Sequence, residues 1–175
     1  LQVSSTAEIW CDYVFLDTDE RRRFAQVSHE YLIEQVQYSN ALSVKGGSSA
    51  AQHELRFNHP VKELVWTLSA PAQAAEPQGL AATALLQLNG HDRFKRRSGR
   101  YFTTVQRYQH HSGEAQTNDS GTGVVGVTGG TSLPHIYSFS LKPEEHQPSG
   151  TCNFSRIDNA VLNLDLTGVS NNITT

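Results

Sequence analysis

Residues 160–166 read AVLNLDL, and their apolar side chains recur at every second position. Successive side chains of a β-strand point to opposite faces of a sheet, whereas a helix repeats every ~3.6 residues. The spacing therefore predicts a strand with one apolar face and one polar face. Its inward residues are Leu162, Leu164 and Leu166, and its outward residues are Asn163 and Asp165.

Other segments of the chain have the same period or the composition of buried strands. Residues 62–68 alternate cleanly, with Leu64, Trp66 and Leu68 on one face. Residues 28–38 fit either a helix or a strand, and we favour the strand. The remaining predicted strands are residues 9–16 (IWCDYVFL), 83–88 and 136–141, with a further extended segment at 55–60. The turn dipeptide Asn89-Gly90 follows 83–88.

The segments between these strands are short or rich in turn residues. Asp17 or Thr18 is placed to cap a short helix with acidic residues in its first turn and arginines after them. Residues 99–108 fit a single helical turn or irregular structure, and 46–49, 70–78 and 112–131 read as turn or loop. A parallel sheet needs long crossover helices, which this pattern lacks. We therefore predict an all-β, antiparallel jelly-roll sandwich with short helices in its connections.

Composition indicates an ordinary single domain. The chain has 175 residues and a formal net charge of −3, which gives no general reason to expect nucleic-acid binding. Residues 93–100 (RFKRRSGR) hold five basic residues, and we favour a solvated turn there over a phosphate-binding patch. No apolar run approaches the ~20 residues of a membrane span. Methionine is absent even at position 1, so we expect a piece of a longer protein.

Residues with metal-ligand or nucleophile chemistry are few and poorly spaced. His110, His111 and Glu114 are ligand types, but adjacent strand residues face opposite ways and the His-x-His spacing of cupins is missing. Cys11 and Cys152 suit buried small side chains in a reducing compartment, although a single disulfide stays open. No phosphate loop or nucleophile elbow is present. We predict no catalytic residue, no metal site and no cofactor.

Three Asn-x-Ser/Thr triplets occur, at Asn118, Asn153 and Asn172. Asn153 lies beside Cys152 and Phe154, which favours a buried hydrogen-bond network over a sugar. Asn118, in the glycine-rich loop, is the one glycosylation candidate, on condition that the chain meets a glycosylating machinery.

Residues 142–160, KPEEHQPSGTCNFSRIDNA, predict an ordered corner, which we define as residues 143–158. Two prolines fix φ, Gly150 permits an unusual dihedral, and hydroxyl and amide side chains can bind nearby backbone groups. Cys152 and Phe154 alternate as core-facing residues. Arg156 and Asp158 share the other face, where they can pair with each other or across a subunit boundary. Such a corner suits assembly better than catalysis.

Residues 137–160, YSFSLKPEEHQPSGTCNFSRIDNA, resemble a signature of the major capsid proteins of nucleocytoplasmic large DNA viruses, the iridovirus and phycodnavirus group. Three more blocks agree in the same order: 12–37 (DYVFLDTDERRRFAQVSHEYLIEQVQ), 56–66 (RFNHPVKELVW), and 86–94 with 101–111 (LQLNGHDRF and YFTTVQRYQHH). Two features depart from the family pattern. Arg107 stands where members usually have proline, and residues 112–134 look like an insertion.

The resemblance implies a double jelly-roll coat protein that trimerises into pseudo-hexagonal capsomers of an icosahedral shell. Residues 1–175 would be most of the second, C-terminal jelly roll, truncated at both ends relative to the family. Implied partners are further copies of itself and minor capsid proteins, without direct nucleic-acid contact or membrane insertion, although an internal viral membrane can lie beneath the shell. The implied location is the virion capsid, assembled in the host cytoplasm.

Two dense polar segments are the predicted assembly contacts. They contribute Arg21, Arg22, Arg23, Glu145, His146, Arg156 and Asp158. The alternative is that the arginines only solubilise a helix and that the corner serves folding alone. Two other functions also remain open. A carbohydrate-binding jelly roll for host attachment requires exposed aromatics, whereas Trp10 and Trp66 both fit buried strand patterns. A cupin-like metalloenzyme requires the metal site rejected above.

Overall fold

The computed structural model describes residues 8–44, 50–68, 83–113, 134–166 and 173–174. The strands described are β1 (Ser43–Val44), β2 (Ala50–Glu54), β3 (Pro60–Val61), β4 (Glu63–Trp66), β5 (Thr83–Leu88), β6 (His91–Asp92), β7 (Arg97–Ser98), β8 (His135–Ser138), β9 (Cys152–Asn153), β10 (Ala160–Asp165) and β11 (Ile173–Thr174). The helical elements are α1 (Thr18–Gln26), a π-helical segment (Tyr101–Val105), α2 (Gln106–His110) and a 3₁₀ turn (Phe154–Arg156). Every strand pair in the described residues is antiparallel, as predicted.

β10 is the central strand of the largest sheet, whose order is β2-β10-β5-β6 with β7 also paired to β5. The predicted inward face is confirmed, because Leu162, Leu164 and Leu166 are 5%, 2% and 1% exposed. The outward assignment of Asn163 is wrong. Asn163 is 7% exposed, and its Nδ2 donates to Gln87 Oε1 at 2.9 Å. The hydrogen bond to Gln87 of β5 satisfies a buried side chain that alternation alone assigns to solvent.

The second layer contains the β4–β8 pair, in which Leu64 lies opposite Tyr137. Alternation in residues 62–68 is confirmed by the burial of Leu64 and Leu68 and the exposure of Val65, with Trp66 partly buried against the core. One core cluster joins this pair to the large sheet and to the π-helical segment. Its buried members include Ala51, Leu64, Ala84, Leu86, Phe102, Tyr137, Phe154, Leu162 and Leu164. Burial of these side chains is the main stabilising term of the fold.

The helix near residues 99–110 is longer than predicted, since the π-helical segment continues directly into α2. Phe102 is fully buried and Gln106 is 3% exposed. The Gln106 side chain donates to Tyr101 Oη at 3.0 Å and accepts from the Ser138 backbone N–H at 3.0 Å. The Gln106 side chain thus accepts the backbone N–H at the end of β8 that a neighbouring strand would otherwise accept. The predicted strand 136–141 accordingly ends at Ser138.

The chain divides into two units, residues 1–35 and 36–175. In the first unit, the predicted cap is confirmed, because Asp17 accepts a hydrogen bond from the Glu20 backbone N–H at 2.9 Å. The carboxylate satisfies one of the free N–H groups that begin α1. Asp19 and Glu20 lie in its first turn, next to the positive end of the helix dipole.

Several predictions on either side of α1 are wrong. Residues 9–16 form no strand, and Trp10 is 89% exposed. Residues 28–38 also form no strand, and Cys11 is exposed. The apolar pattern is present in both segments, but the described residues of the first unit include no sheet that could satisfy the hydrogen bonds of another strand.

Four predicted features lie outside the described residues: the turn at 46–49, the loop at 70–78, most of the loop at 112–131, and the residues Glu114, Asn118 and Asn172. Within the residues that are described, no helix has both the length and the apolar character that a bilayer crossing requires.

Candidate assembly site

A set of serine hydroxyls links the end of β8 to the corner. The Ser138 hydroxyl donates to the Ser140 carbonyl at 2.7 Å and accepts from the Ser140 N–H at 3.1 Å. Ser149 Oγ accepts from the Lys142 N–H at 2.8 Å and lies 3.3 Å from the Lys142 carbonyl. The Ser140 hydroxyl also lies 2.8 Å from the Ser149 hydroxyl. Side-chain hydrogen bonds therefore fix the backbone after Ser138, where the pairing of β8 with β4 ends.

Gly150 is required at its position for two reasons. Its φ is 145°, a conformation that side chains of L-residues rarely adopt. A Cβ there would also lie 2.9 Å from the Phe139 carbonyl oxygen. The unusual dihedral predicted for Gly150 is confirmed, and the close approach of Phe139 is an additional constraint that the sequence does not reveal.

Beyond Gly150 the chain pairs with β3 and then turns. Cys152 and Asn153 lie opposite Val61 and Pro60. Phe154 is 2% exposed, which confirms its core-facing assignment. The predicted burial of Asn153 is wrong, because it is exposed and its Oδ1 accepts from the Ser155 N–H at 3.1 Å to begin the 3₁₀ turn. A short polar side chain at a helical N-terminus usually has this role.

The far end of the corner is held by Asn89, whose role sequence reasoning identified only as a turn. The Asn89 φ is 51° and the Gly90 φ is 78°, which suits the predicted hairpin turn between β5 and β6. Asn89 Oδ1 also accepts from the N–H groups of Asp158 and Asn159 at 2.9 and 3.1 Å. One amide therefore fixes the hairpin and the corner together.

Lys62 fixes the middle of the corner. Its Nζ donates to the carbonyls of Glu145 and His146 at 2.6 and 3.2 Å. The Glu145 carboxylate pairs with Lys142 at 3.0 Å on the surface. Lys62 thus fixes the backbone of this stretch, while the Glu145 and His146 side chains are exposed.

His111 connects three segments that are far apart in sequence. Its Nε2 lies 2.9 Å from Glu63 Oε2 in β4, and its Nδ1 lies 3.0 Å from Glu144 Oε1 in the corner. Ser112 donates to Glu144 Oε2 through its hydroxyl at 2.6 Å and its N–H at 3.1 Å. These Ser112 bonds, followed by the His111 contact, hold the pKa of Glu144 below its ordinary value.

The predicted contact residues are all exposed. Arg22 makes a surface ion pair with Asp19 at 3.4 Å, with 62% and 89% of the two side chains exposed. Such pairs contribute little to stability. Arg156 and Asp158 are both exposed, and the described ion pairs do not include one between them. The arginines of α1 belong to the first unit, and the other four residues belong to the second.

The residues considered for chemistry do not assemble into a reactive group in the described part of the chain. His110 Nδ1 contacts the Leu141 carbonyl at 3.0 Å, and the described residues contain no group of three His, Cys, Asp or Glu arranged to hold a metal ion. Cys152 is partly buried, and burial raises the pKa of its thiol. A thiol in this state is a poor nucleophile at neutral pH.

The basic run at 93–100 is tied to its own surroundings. Arg96 donates to Thr83 Oγ1 at 3.4 Å, and the Arg97 guanidinium stacks over the Tyr101 ring at 5.1 Å. The basic residues of the run are exposed, as a solvated segment requires, but Arg97 and Ser98 form the strand β7 and not a turn. The Arg97 guanidinium covers part of the Tyr101 ring while its charge stays in water.

A match to a protein family accounts for the combination of an ordered corner and few candidates for catalysis. Residues 20–175 match the family model described as "Large eukaryotic DNA virus major capsid protein". The chain belongs to this capsid protein family. It is 48% identical to the major capsid protein of Pyramimonas orientalis virus, over 96% of this chain and 43% of that protein. It is 40% identical to the major capsid protein of Paramecium bursaria Chlorella virus 1, over 91% of this chain and 41% of that protein.

Solved structures of the capsid family agree with the fold described above. The chain is similar to a quasi-atomic model of the PBCV-1 virus capsid, with a TM-score of 0.62 and 33% identity over 93% of this chain and 51% of that chain. The crystal structure of PBCV-1 VP54 fitted into a cryo-EM reconstruction of the virophage Sputnik gives a TM-score of 0.66 and 32% identity over the same shares. The predicted antiparallel jelly-roll class is confirmed. The chain spans less than half of the length of the curated relatives named above.

Proposed function

We propose that this chain is a structural component of the capsid of a large DNA virus, where it assembles with further copies of itself in the virion shell. The observation that carries the proposal is the family match over residues 20–175. The relatives reported above are named as major capsid proteins. We infer that the protein acts by association and not by catalysis, and that it trimerises into pseudo-hexagonal capsomers that also contact minor capsid proteins.

We further propose that residues 1–175 are most of the C-terminal jelly roll of a double jelly-roll protein. The share of the relatives that the chain covers supports this assignment. So do the apolar side chains exposed in the first unit, among them Ile9, Trp10, Tyr13, Val14 and Phe15. Exposed apolar surface of this extent is typical of a protein interface. We propose that the remainder of the full-length protein covers it.

The predicted assembly contacts remain proposals, and the geometry of the corner supports them. Its backbone is fixed by Lys62, Ser149 and Asn89, while the side chains of Glu145 and His146 extend into solvent. A preorganised polar surface loses little entropy when a partner binds. Arg21, Arg22 and Arg23 present a second exposed polar surface on α1, and Arg156 and Asp158 end the corner.

Charge reversal in the full-length protein tests these contacts. We expect Arg22→Glu and Arg156→Glu each to reduce the trimer fraction seen by native mass spectrometry, since like charges at an interface disfavour association. Lys95→Glu is the matched control, because Lys95 is exposed and basic but lies outside both segments. Trimer yields equal to the control would reject the two contact assignments. A full-length protein that never forms trimers would reject the proposed function.

Exposure of Trp10 removes the sequence argument against a sugar-binding module, because that argument assumed a buried tryptophan. The relatives reported above are nevertheless named as capsid proteins. A glycan array with the full-length protein distinguishes the two functions, and we expect no glycan-specific binding.

A further inference from the structure

The turn between β5 and β6 contains a pair of residues that can react with each other. Asn89 is the only asparagine of the chain that precedes a glycine, and both Asn89 and Gly90 are exposed. An asparagine side chain can react with the backbone nitrogen of the next residue, and glycine has no Cβ to shield that nitrogen. A Cβ built at Gly90 would meet no atom within 4 Å. The pair therefore has the residue types and the open surroundings that this reaction needs.

The reaction is a deamidation, with water as its only co-reactant. The Gly90 backbone nitrogen loses its proton and attacks Cγ of Asn89, so that a Cγ–N bond forms and the Cγ–Nδ2 bond breaks. The Nδ2 group takes up a proton and leaves as ammonia. Water then opens the cyclic imide at one of its two carbonyls, which gives aspartate or isoaspartate. The asparagine thus consumes one water and releases one ammonia, without oxidation or reduction.

The folded turn holds the two reacting atoms apart. The Asn89 φ of 51° lies in the left-handed region, in which ψ is about +30 to +60°. Seen along the Cα–C bond, N and Cβ of an L-residue are about 120° apart, so this ψ turns the Gly90 nitrogen nearly anti to Cβ. Ring closure requires that nitrogen on the same side as Cβ. Asn89 must therefore leave its turn conformation before it can react.

The corner holds Asn89 in the unreactive conformation. Asn89 Oδ1 accepts from the N–H groups of Asp158 and Asn159 at 2.9 and 3.1 Å, and the Asn89 N–H donates to the Asn159 carbonyl at 2.6 Å. The two bonds to Oδ1 must break before the side chain can turn toward Gly90. One such bond typically changes an equilibrium by a factor of about five, so the pair reduces the open population about 25-fold.

The two N–H groups on Oδ1 also have an opposite effect to be weighed. Two donors on one carbonyl oxygen form an oxyanion hole, which accelerates attack on the carbonyl carbon. That acceleration requires a nucleophile within reach of Cγ, and the left-handed φ of Asn89 turns the Gly90 nitrogen away from it. Anchoring of the side chain therefore dominates in the folded chain.

We propose that Asn89 is a deamidation site that the folded corner keeps unreactive and that reacts when the corner releases the turn. The inference is independent of the proposed function, because it depends only on the turn and its hydrogen bonds. Aspartate at position 89 keeps an acceptor for the two N–H groups. Isoaspartate routes the backbone through Cβ and cannot rebuild the same turn, so the corner loses the support of Asn89. Conversion to isoaspartate thus makes an opening of the corner irreversible.

Peptide mass spectrometry of the 175-residue chain tests the site. The chain is incubated in mildly alkaline buffer with and without concentrated urea, and deamidation is detected by the mass gained when OH replaces NH2. We expect Asn89 to react at least about 25-fold more slowly in the native chain than in urea. Asn40 is the internal control, because it is exposed but precedes alanine, and it should react slowly under both conditions.

Three outcomes of this measurement would overturn the proposal. Equal rates at Asn89 in the native chain and in urea would show that the corner gives no protection. A faster rate in the native chain would show that the two N–H groups act as an oxyanion hole. A rate at Asn89 in urea no higher than that at Asn40 would remove the site itself.

Asp158→Pro tests the anchor, because it deletes one of the two N–H groups without a change at Asn89 or Gly90. Ile157 precedes it with φ −107° and ψ 114°, the extended conformation that a following proline requires. Asp158→Ala is the matched control, since it keeps the N–H. We expect native Asn89 to react about fivefold faster in the proline variant and at the wild-type rate in the alanine variant. Equal native rates in the two variants would reject the role of this bond.

Amide hydrogen exchange of the wild-type chain covers the case in which Asp158→Pro does not fold. The N–H groups of Asp158 and Asn159 exchange when their bonds to Asn89 open, so their protection reports the open population. Low concentrations of urea raise this population. We expect the rate of deamidation at Asn89 to rise in proportion to it. A deamidation rate that stays constant while the open population increases would refute the proposal.

Discussion

Asn89 and Asp158 lie 69 residues apart in the chain, and the Asn89 Oδ1 atom accepts the Asp158 backbone N–H at 2.9 Å. The same oxygen accepts the Asn159 N–H, and the Asn89 N–H donates to the Asn159 carbonyl. The hairpin turn after β5 is therefore also the support for the residues that lead into β10. A change at Asn89 should affect both β5 and β10 at the end of the large sheet where Leu88 pairs with Ala160.

We expect Asn89→Ala to lower the free energy of unfolding by about 2 kcal/mol, because alanine tolerates the positive φ poorly and accepts neither hydrogen bond. Urea denaturation measures this as a lower midpoint with an unchanged slope. Asn89→Asp keeps the acceptor and the tolerance of positive φ, so its loss should be clearly smaller. Equal losses in the two variants would show that the side-chain oxygen contributes nothing.

Gly150→Ala should lower the free energy of unfolding by at least about 2 kcal/mol, since it combines a strained φ with a Cβ too close to a backbone oxygen. The control is Gly113→Ala, because a Cβ at Gly113 meets no atom within 4 Å. We expect that variant to stay within about 0.5 kcal/mol of wild type. A mild effect at Gly150 would mean that the corner can shift away from Phe139.

Gln106→Leu should lower the free energy of unfolding by about 2 kcal/mol, because the buried Ser138 N–H loses its acceptor and the partly buried Tyr101 hydroxyl loses its donor. Gln109→Leu is matched in chemistry and lies in the same helix, but Gln109 is exposed. Thermal denaturation of the two variants side by side separates hydrogen bonding from helix propensity. The prediction is wrong if both variants melt alike.

Ser112→Ala should raise the pKa of Glu144 toward its ordinary value, since it removes the hydroxyl bond that lowers this pKa most. The carboxyl ¹³C shift of Glu144, followed against pH, measures the change. Ser155→Ala is the control, because its hydroxyl accepts from the His59 backbone N–H and not from Glu144 or another group of the Glu144 site. A Glu144 titration that is identical in Ser112→Ala and wild type would contradict the assignment of the cause.

Glu144 should also make stability depend on pH. A carboxyl group whose pKa is lowered by folding contributes its stabilisation above its ordinary pKa, and the contribution is lost as pH falls through the folded-state value. The difference in melting temperature between wild type and Glu144→Gln should therefore be present near neutral pH and disappear in acid. A difference that persists in acid would point to a cause other than charge.

Alternation along the chain predicted β4 and β10 and their apolar faces, because a period of two residues shows which side chains leave water. Leu64, Leu68, Leu162 and Leu164 were all placed correctly. The Asp17 cap, the Asn89-Gly90 turn and the unusual φ of Gly150 were also predicted, since each depends on residues close in sequence. The resemblance carried by residues 137–160 predicted the family to which the match over 20–175 assigns the chain.

Only the tertiary structure decided which predicted strands pair with another strand and which polar side chains find a bonding partner. Residues 9–16 have the composition of a buried strand, yet a strand forms only where a neighbour satisfies its backbone, and here Trp10 is exposed. Asn163, which alternation assigned to solvent, is buried and bonded to Gln87 of the neighbouring strand. His111 meets Glu63 and Glu144 across 48 and 33 residues of sequence. Local spacing encodes local hydrogen bonds and burial periodicity, whereas contacts between distant segments depend on how the sheets pack.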